Sequence, residues 1–401
     1  MEATGERNGF TLRYLLNQYP IQSRIMRDLD MRSILSLCRT SSGLRADIYD
    51  DLWDINKKLE RFFQNPRAFR TELGRADALI SGSFALQFFA NKFWPESDLD
   101  INLRDGEGVE SLGRYLVEVE GYELSRNQDL EHRDYELARL KDLNRIITYT
   151  KSSDSGTSFA PPEIRKVQLV ATKNHPVKAI LGTYYTSCIM NFISWNKAFC
   201  IFPRATLLFG ETVALTRWND YDVELHKKYS RRGWRQRSRP VTLAEGAKKY
   251  APRDVFPLGG LGRDRRIGGS DTWTMNLSTA GVARPSQPDS VLEYSSFFID
   301  SFFLDEEEMN VVRVHLEVFK SPSLRYQYTY GDLRPFWVRV GNMLTENTRV
   351  QLLTKMTQSE AEPIASLPRL YEAEFEKPDG WDFWDDWIPE TYKWLEGIEC
   401  P

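Results

Sequence analysis

The apolar side chains of residues 1–65 recur three or four positions apart, which predicts amphipathic helices. Pro20 suits the first position of a helix, and Asp30 interrupts the pattern, so two short helices are expected. A third is predicted from Ala46 to Phe63, ending before Asn65-Pro66. The apolar positions of the first two helices are Ile21, Ile25, Met26, Leu29, Ile34, Leu35, Leu37 and Cys38.

From residue 66 onward, short apolar runs alternate with helical stretches, which is typical of a mixed α/β layer. The pattern predicts an α+β chain with a helical segment at 1–65, a mixed sheet with flanking helices at 66–210 and a C-terminal extension at 211–401. The predicted elements of the middle part are a strand at Ala78–Ile80, a helix at Phe84–Phe93, a strand at Asp98–Leu103, a helix carrying Val109, Leu112, Leu116 and Val119, a hairpin of Arg145–Lys151 and Glu163–Thr172, a helical region from His175 to Phe192, and a closing segment at Ala198–Phe209.

Composition limits the class of protein. With 401 residues, of which 41% are hydrophobic and 27% charged, the chain is globular at two- or three-domain length, which excludes disordered, collagen-like and coiled-coil proteins. The four cysteines form no C-x-x-C and the four histidines no H-x-x-x-H, so neither a zinc site nor a disulfide framework is predicted. No apolar run approaches membrane-span length, and no signal peptide is recognised, so we expect no membrane association and a cytoplasmic or nuclear location.

The net charge of −4 conceals a division along the chain. Residues 221–270 carry +8 and residues 371–401 carry −8, the latter around four tryptophans. Within the basic part, Lys227–Arg239 holds seven basic residues and no acid, and Arg231, Arg232 and Arg235 are candidates for phosphate or nucleic-acid contacts. Tyr229 and Trp234 lie between them and would suit base stacking. If the acidic tail competes for this basic part, deleting residues 371–401 should strengthen polyanion binding. The alternative is a solvated loop that the tail neutralises, and binding would then be unchanged. The four tryptophans are Trp381, Trp384, Trp387 and Trp394.

The segment Leu79–Leu103 carries candidate chemistry. A short strand leads into Gly82-Ser83 at the start of a helix, and a second strand follows with Asp98 and Asp100. Residues two apart on a strand share a face, so both carboxylates point the same way and form a site for Mg²⁺. Gly82 permits close approach of a phosphate, and Ser83 offers its N–H, its hydroxyl and the helix N-terminus. These parts would together hold a nucleoside triphosphate and its metal.

This order of elements resembles the nucleotidyltransferase superfamily of the DNA polymerase β type, whose motif is an apolar residue, Gly-Gly or Gly-Ser, a spacer, and then Asp-x-Asp. More narrowly, SGSFALQFF, WPESDLDI, KVQLV and YTSCIMNFI are similar to nucleotidyltransferase-like proteins of fungal genomes, over residues 78–209. The resemblance implies that Gly82 and Ser83 bind the triphosphate and that Asp98 and Asp100 bind Mg²⁺ or Mn²⁺. It implies transfer of a nucleoside monophosphate to an acceptor, which would be an RNA, a protein or a small molecule.

The third acid of that superfamily is missing from its expected place. The strand that corresponds to it reads RKVQLV, with Gln168 in the acid position. An amide brings no negative charge and cannot act as a general base near neutral pH. Two interpretations follow: a transferase that uses another acid, such as Glu163 or Asp142, or a catalytically inactive protein that keeps the fold.

The N-terminal helices also resemble an F-box in a degenerate form. The matching residues begin at Tyr19-Pro20-Ile21 and end at Leu44, but the usual Leu-Pro entry and the later tryptophan are absent. The resemblance implies binding to the adaptor subunit of a ubiquitin ligase. The alternative is a helical cap on the middle domain.

Overall fold

The fold is α+β, as predicted: helices flank an eight-stranded mixed sheet. The computed structural model describes residue 14 and residues 19–130, 142–153, 163–215, 220–237, 262–304, 309–331, 335–367 and 369–399.

In the described part of the chain from residue 19 onward, five helices precede the first strand. The helix predicted over Ala46–Phe63 is interrupted, because the Asp54 carboxylate accepts hydrogen bonds from the N–H groups of Asn56 and Lys57 and begins a new helix. That prediction was therefore wrong in its continuity. The helices are α1 (Tyr19–Asp28), α2 (Met31–Thr40), α3 (Ser42–Leu52), α4 (Ile55–Leu59) and α5 (Pro66–Arg75).

After α5, strands and helices are interspersed as far as residue 200, and strands dominate from there to residue 330. In chain order they are β1 (Leu79–Ser81), α6 (Gly82–Ala90), β2 (Leu99–Arg104), α7 (Glu107–Glu118), β3 (Glu123–Asp129), β4 (Leu143–Ser153), β5 (Glu163–Thr172), α8 (Pro176–Thr183), β6 (Asn191–Ile193), β7 (Lys197–Cys200), β8 (Glu211–Thr212), α9 (Asp220–Arg231), β9 (Arg235–Gln236), β10 (Arg263–Arg266), β11 (Trp273–Asn276), α10 (Ser290–Tyr294), β12 (Ser296–Leu304), β13 (Met309–His315), β14 (Glu317–Phe319), β15 (Tyr328–Tyr330), α11 (Pro335–Lys355), α12 (Gln358–Ala365) and α13 (Trp387–Glu399).

The main sheet has the strand order β11-β7-β6-β1-β2-β5-β4-β3. Strands β2 and β5 run parallel, and the other neighbouring pairs run antiparallel, including the predicted β4–β5 hairpin. Strand β11 comes from the part of the chain beyond residue 211, so the sheet extends past the predicted middle segment.

One face of this sheet is covered by the N-terminal helices. Alternate residues of β2 and β5, such as Leu99 and Val167, are fully buried in one cluster with Ile34, Leu44 and Ile48. The five helices therefore belong to the same hydrophobic core as the sheet.

The helical region predicted from His175 to Phe192 is shorter than expected. Helix α8 ends at Thr183, a single 3₁₀ turn covers Ser187–Ile189, and Phe192 lies in strand β6. Each residue of β6 is buried, and a fully buried strand shows no alternating pattern that would separate it from a helix.

The C-terminal part builds further layers on the main sheet. Strands β10, β12 and β13 form a three-stranded sheet. The acidic tail packs through its aromatic residues: Trp381 is 8% exposed, and its Nε1 donates to the carbonyl of Pro322 at 3.0 Å. In the described parts of the chain, no helix is long and apolar enough to span a membrane.

Candidate functional site

The Gly82-Ser83 turn lies beside the Asp100 carboxylate. Gly82 has a φ of 67°, and a Cβ added there would collide with Oδ2 of Asp100. Strands β1 and β2 pair Ser81 with Asp100, which fixes this proximity. Two features therefore require glycine at this position: the left-handed backbone conformation and the close approach of the Asp100 carboxylate.

The N-terminus of α6 lies beside the hydroxyls of Ser81 and Tyr184. The side chain of Ser81 precedes the helix but does not cap it. Its hydroxyl instead lies 2.5 Å from the Tyr184 hydroxyl and accepts a hydrogen bond from Asn102 at 2.6 Å. The Ser81 side chain therefore does not cap the helix, and the Tyr184 hydroxyl accepts a hydrogen bond from the Gly82 N–H.

The two carboxylates differ in their surroundings. Asp98 immediately precedes β2, and its Oδ2 is 2.6 Å from the Nζ of Lys166 on the parallel strand β5. Asp100 is more deeply placed, and burial together with the charge of Asp98 raises its pKa to about 6. A cation bound between the two carboxylates would offset the electrostatic repulsion between them.

A second lysine reaches the site from a distant part of the chain. Lys228 on α9 and Lys166 both lower the pKa of Asp100. Burial lowers the pKa of Lys228, and the charges of Asp98 and Asp100 raise it. Helix α9 reaches the site because Tyr229 and Trp234 pack into one cluster with Leu86 of α6. The site therefore combines two carboxylates with two lysines.

Gln168 lies at the expected third position. The register of β2 and β5 pairs it with Asp100, and its Nε2 donates to Oγ1 of Thr148 on β4 at 3.3 Å. Glu163 is five residues earlier on β5, roughly 16 Å along the strand. Asp142 lies at the opposite end of the sheet, where it pairs with Lys178 at 3.5 Å. Neither alternative acid joins Asp98 and Asp100.

The residues present fit one divalent cation. Two carboxylates, one of them with a raised pKa, suit Mg²⁺ with its remaining positions filled by water and phosphate oxygens. Within the described residues, no group of three or more His, Cys, Asp or Glu side chains converges. An amide at Gln168 and an ammonium at Lys166 oppose the binding of a second metal.

The aromatic residues of the basic segment Lys227–Arg239 do not have the environment that base stacking requires. Tyr229 and Trp234 are only 4% and 5% exposed, so they cannot stack on bases, and that prediction was wrong. Their burial follows from the cluster with α6, and Nε1 of Trp234 also donates to the carbonyl of Thr206 at 2.8 Å. Arg231 and Arg235 are exposed.

Arg232 contacts the loop before Asp98. Its guanidinium lies 4.0 Å from the ring centroid of Trp94 and pairs with Glu96. On the other side, Arg61 donates to the carbonyls of Trp94, Pro95 and Ser97. Two arginines from different helical regions thus hold the loop that leads into β2.

Sequence reasoning missed four of these residues. Lys166 could have been found, since it lies two positions before Gln168 and shares its face of the strand. Lys228, Arg61 and Tyr184 reach the site through tertiary packing, and no local pattern identifies them. Comparison of the chain with protein-family models, curated proteins and solved structures found no match.

Proposed function

We propose that the chain is a nucleotidyltransferase-fold protein that binds a nucleoside triphosphate together with Mg²⁺, or with Mn²⁺ in its place. The observation that carries the proposal is the placement of the Asp98 and Asp100 carboxylates beside the N-terminus of α6 at Gly82, which the Ser81 side chain does not cap. Asp98 and Asp100 would hold the metal, whose chemistry is to neutralise charge on the phosphates. The proposal agrees with the motif resemblance and with the raised pKa of Asp100.

The phosphates have cationic and backbone partners on both sides. The N–H groups of Ser83 and its neighbours point from the helix start, and the helix dipole favours negative charge there. Lys228 and Lys166 supply positive charge across from the helix. Transfer of a nucleoside monophosphate is the reaction that such a complex supports, with an RNA, a protein or a small molecule as acceptor.

A second candidate function is that of an inactive scaffold with the same fold. Gln168 in the acid position and Lys166 on Asp98 favour it, because the attacking hydroxyl then has no carboxylate base among the residues described at the site. The N-terminal helices would in that case recruit a partner such as a ubiquitin-ligase adaptor. Burial of Met26, Ile34 and Leu44 in the shared core favours the cap over the F-box interpretation.

Calorimetric titration tests the binding proposal. We expect the chain to bind ATP, GTP, CTP or UTP only when Mg²⁺ is present, and Asp98→Asn/Asp100→Asn to weaken that binding at least about tenfold. Asp382→Asn, at an exposed aspartate paired with Lys355, is the matched control and should leave binding unchanged. No binding, or equal binding by the double variant, contradicts the proposal.

Gln168→Glu separates the two candidate functions. If the fold is a transferase limited by its missing acid, this variant should raise incorporation of labelled nucleotide into an acceptor at least about tenfold. Gln168→Asn changes length without adding charge and serves as the control. Nucleotide binding without incorporation in either variant supports the scaffold.

A further inference from the structure

A cavity separate from the candidate site lies between the N-terminal helices and α6. It has a volume of about 850 Å³, within the range of small-molecule sites. Phe84 and Phe88 of α6 line it, whereas Leu86, on the opposite side of the helix, packs against the α9 cluster. The cavity and the α9 cluster therefore occupy opposite faces of one helix. Phe93 presents the accessible apolar surface of this cavity, at 70% exposure, and the other apolar lining residues are at most 6% exposed: Met26, Leu52, Phe84 and Phe88.

The polar lining of this cavity is strongly cationic. Five basic residues face two acids, and both acids already have partners within the protein. Asp54 accepts the N–H groups that begin α4, and Asp51 pairs with Lys57 at 3.2 Å. Among the described residues, Arg27, Lys58 and Lys92 form no ion pair with a carboxylate, whereas Lys57 pairs with Asp51. The basic residues are Arg27, Lys57, Lys58, Arg61 and Lys92.

Lys58 is the group that most needs an anion. Burial lowers its pKa to about 8, although Asp51 and Asp54 raise it. Among the described residues, no carboxylate lies within ion-pair distance of its Nζ, whereas the neighbouring Lys57 has Asp51. A desolvated ammonium without a partner is unfavourable, and an anionic ligand would relieve it.

We infer that this cavity binds a small phosphorylated molecule with an apolar or aromatic body. The anionic group lies against Lys58 with Arg27 and Lys92 around it, and the body lies on the exposed ring of Phe93. The volume exceeds what an inorganic anion needs, and the apolar lining would stay wet around phosphate alone. Both parts of the ligand are therefore required.

Lysine acetylation with a trace of acetic anhydride near pH 8 provides the test. The probe is 1-naphthyl phosphate, with inorganic phosphate and 1-naphthol as its separate parts. We expect 1-naphthyl phosphate to slow acetylation of Lys58 at least threefold, read by peptide mass spectrometry, and to leave the exposed Lys173 unchanged. Each part alone should protect far less. Equal labelling of Lys58 with and without the probe would overturn the inference.

Affinity measurements on variants complete the test. Lys58→Met should weaken the binding of 1-naphthyl phosphate about tenfold in calorimetry, which is the loss expected for one charge-assisted contact. Lys173→Met should leave the affinity unchanged. If Lys58→Met has a lower melting temperature than wild type, Lys92→Met at the exposed rim is measured instead and must bind 1-naphthyl phosphate more weakly. Wild-type affinity in Lys92→Met would count against the site. Asp100→Asn should keep Lys58 protected, so failure of the proposed triphosphate site and failure of this cavity are distinguishable.

Discussion

Lys166 and Gln168 are the two residues of β5 that face the carboxylates of β2. One gives Asp98 a cationic partner at 2.6 Å, and the other gives Asp100 an uncharged neighbour. The local charge is thereby close to zero before any ligand binds, since Lys228 adds a second cation. Under the proposed function, such a site would bind the metal together with its polyphosphate, because the metal alone would have to compete with two lysines.

The raised pKa of Asp100 has a consequence for stability. Its carboxyl titrates near pH 6 in the folded chain but near 3.8 when unfolded, so the folded state is favoured by protonation and loses stability as pH rises from about 4 to about 6. The loss amounts to at most about 3 kcal/mol. We therefore expect Asp100→Asn to unfold at higher urea concentration than wild type at pH 7.5, and the difference to disappear near pH 4.

The exposed Asp379 provides the control for this measurement. Asp379→Asn should show the wild-type dependence on pH. Equal stability of Asp100→Asn and wild type at pH 7.5 would show that the carboxylate is already compensated by its lysines.

At the scale of elements, the loop from Trp94 to Ser97 decides where β2 begins. Arg61 donates to three of its carbonyls and lies over the rings of Phe62 and Phe93, and Arg232, directly after α9, covers Trp94. This pairing positions Asp98 without touching it.

Replacing Arg61 with lysine should loosen this loop. A lysine keeps the charge but cannot reach three carbonyls with a planar fork, so we expect a loss of about 1–3 kcal/mol in unfolding free energy. Amide hydrogen exchange at residues 96–98 should become faster. Arg75→Lys, at an exposed arginine paired with Glu72, is the matched control. Unchanged exchange at the loop would mean that Arg232 alone holds it.

Elements with a clear local pattern were predictable, and those fixed by distant contacts were not. The β1–α6–β2 unit and the β4–β5 hairpin follow from apolar runs, Gly82 and the alternation around Asp98. The break at Asp54 depends on a side-chain cap that competes with the helix. The burial of β6 hides its period, and β3, which is polar except for the exposed Leu124, has no apolar run to detect.

At the scale of the whole molecule, the charge division acquires a structural explanation. The basic segment docks by its aromatic residues on α6, which brings Lys228 to the carboxylates. The acidic tail is anchored elsewhere: Asp385 accepts the backbone N–H groups of Arg325 and Tyr326, and Asp382 pairs with Lys355 of α11. Sequence alone could locate the two charges but could not place either, because both are positioned by tertiary contacts.

The tail is therefore part of a core rather than a detachable competitor for polyanions. Trp381 is buried with Leu352, Ala361 and Leu370, so deleting residues 371–401 would expose that cluster and unfold its surroundings. We expect Trp381→Ala to lower the unfolding free energy by about 3–5 kcal/mol in urea titrations followed by circular dichroism. Trp394→Ala, in the same tail at 62% exposure, should change it by less than about 0.5 kcal/mol. If Trp381→Ala changed the unfolding free energy as little as Trp394→Ala, the tail would lie outside the core. Deletion of residues 371–401 would then again be a valid test of charge competition.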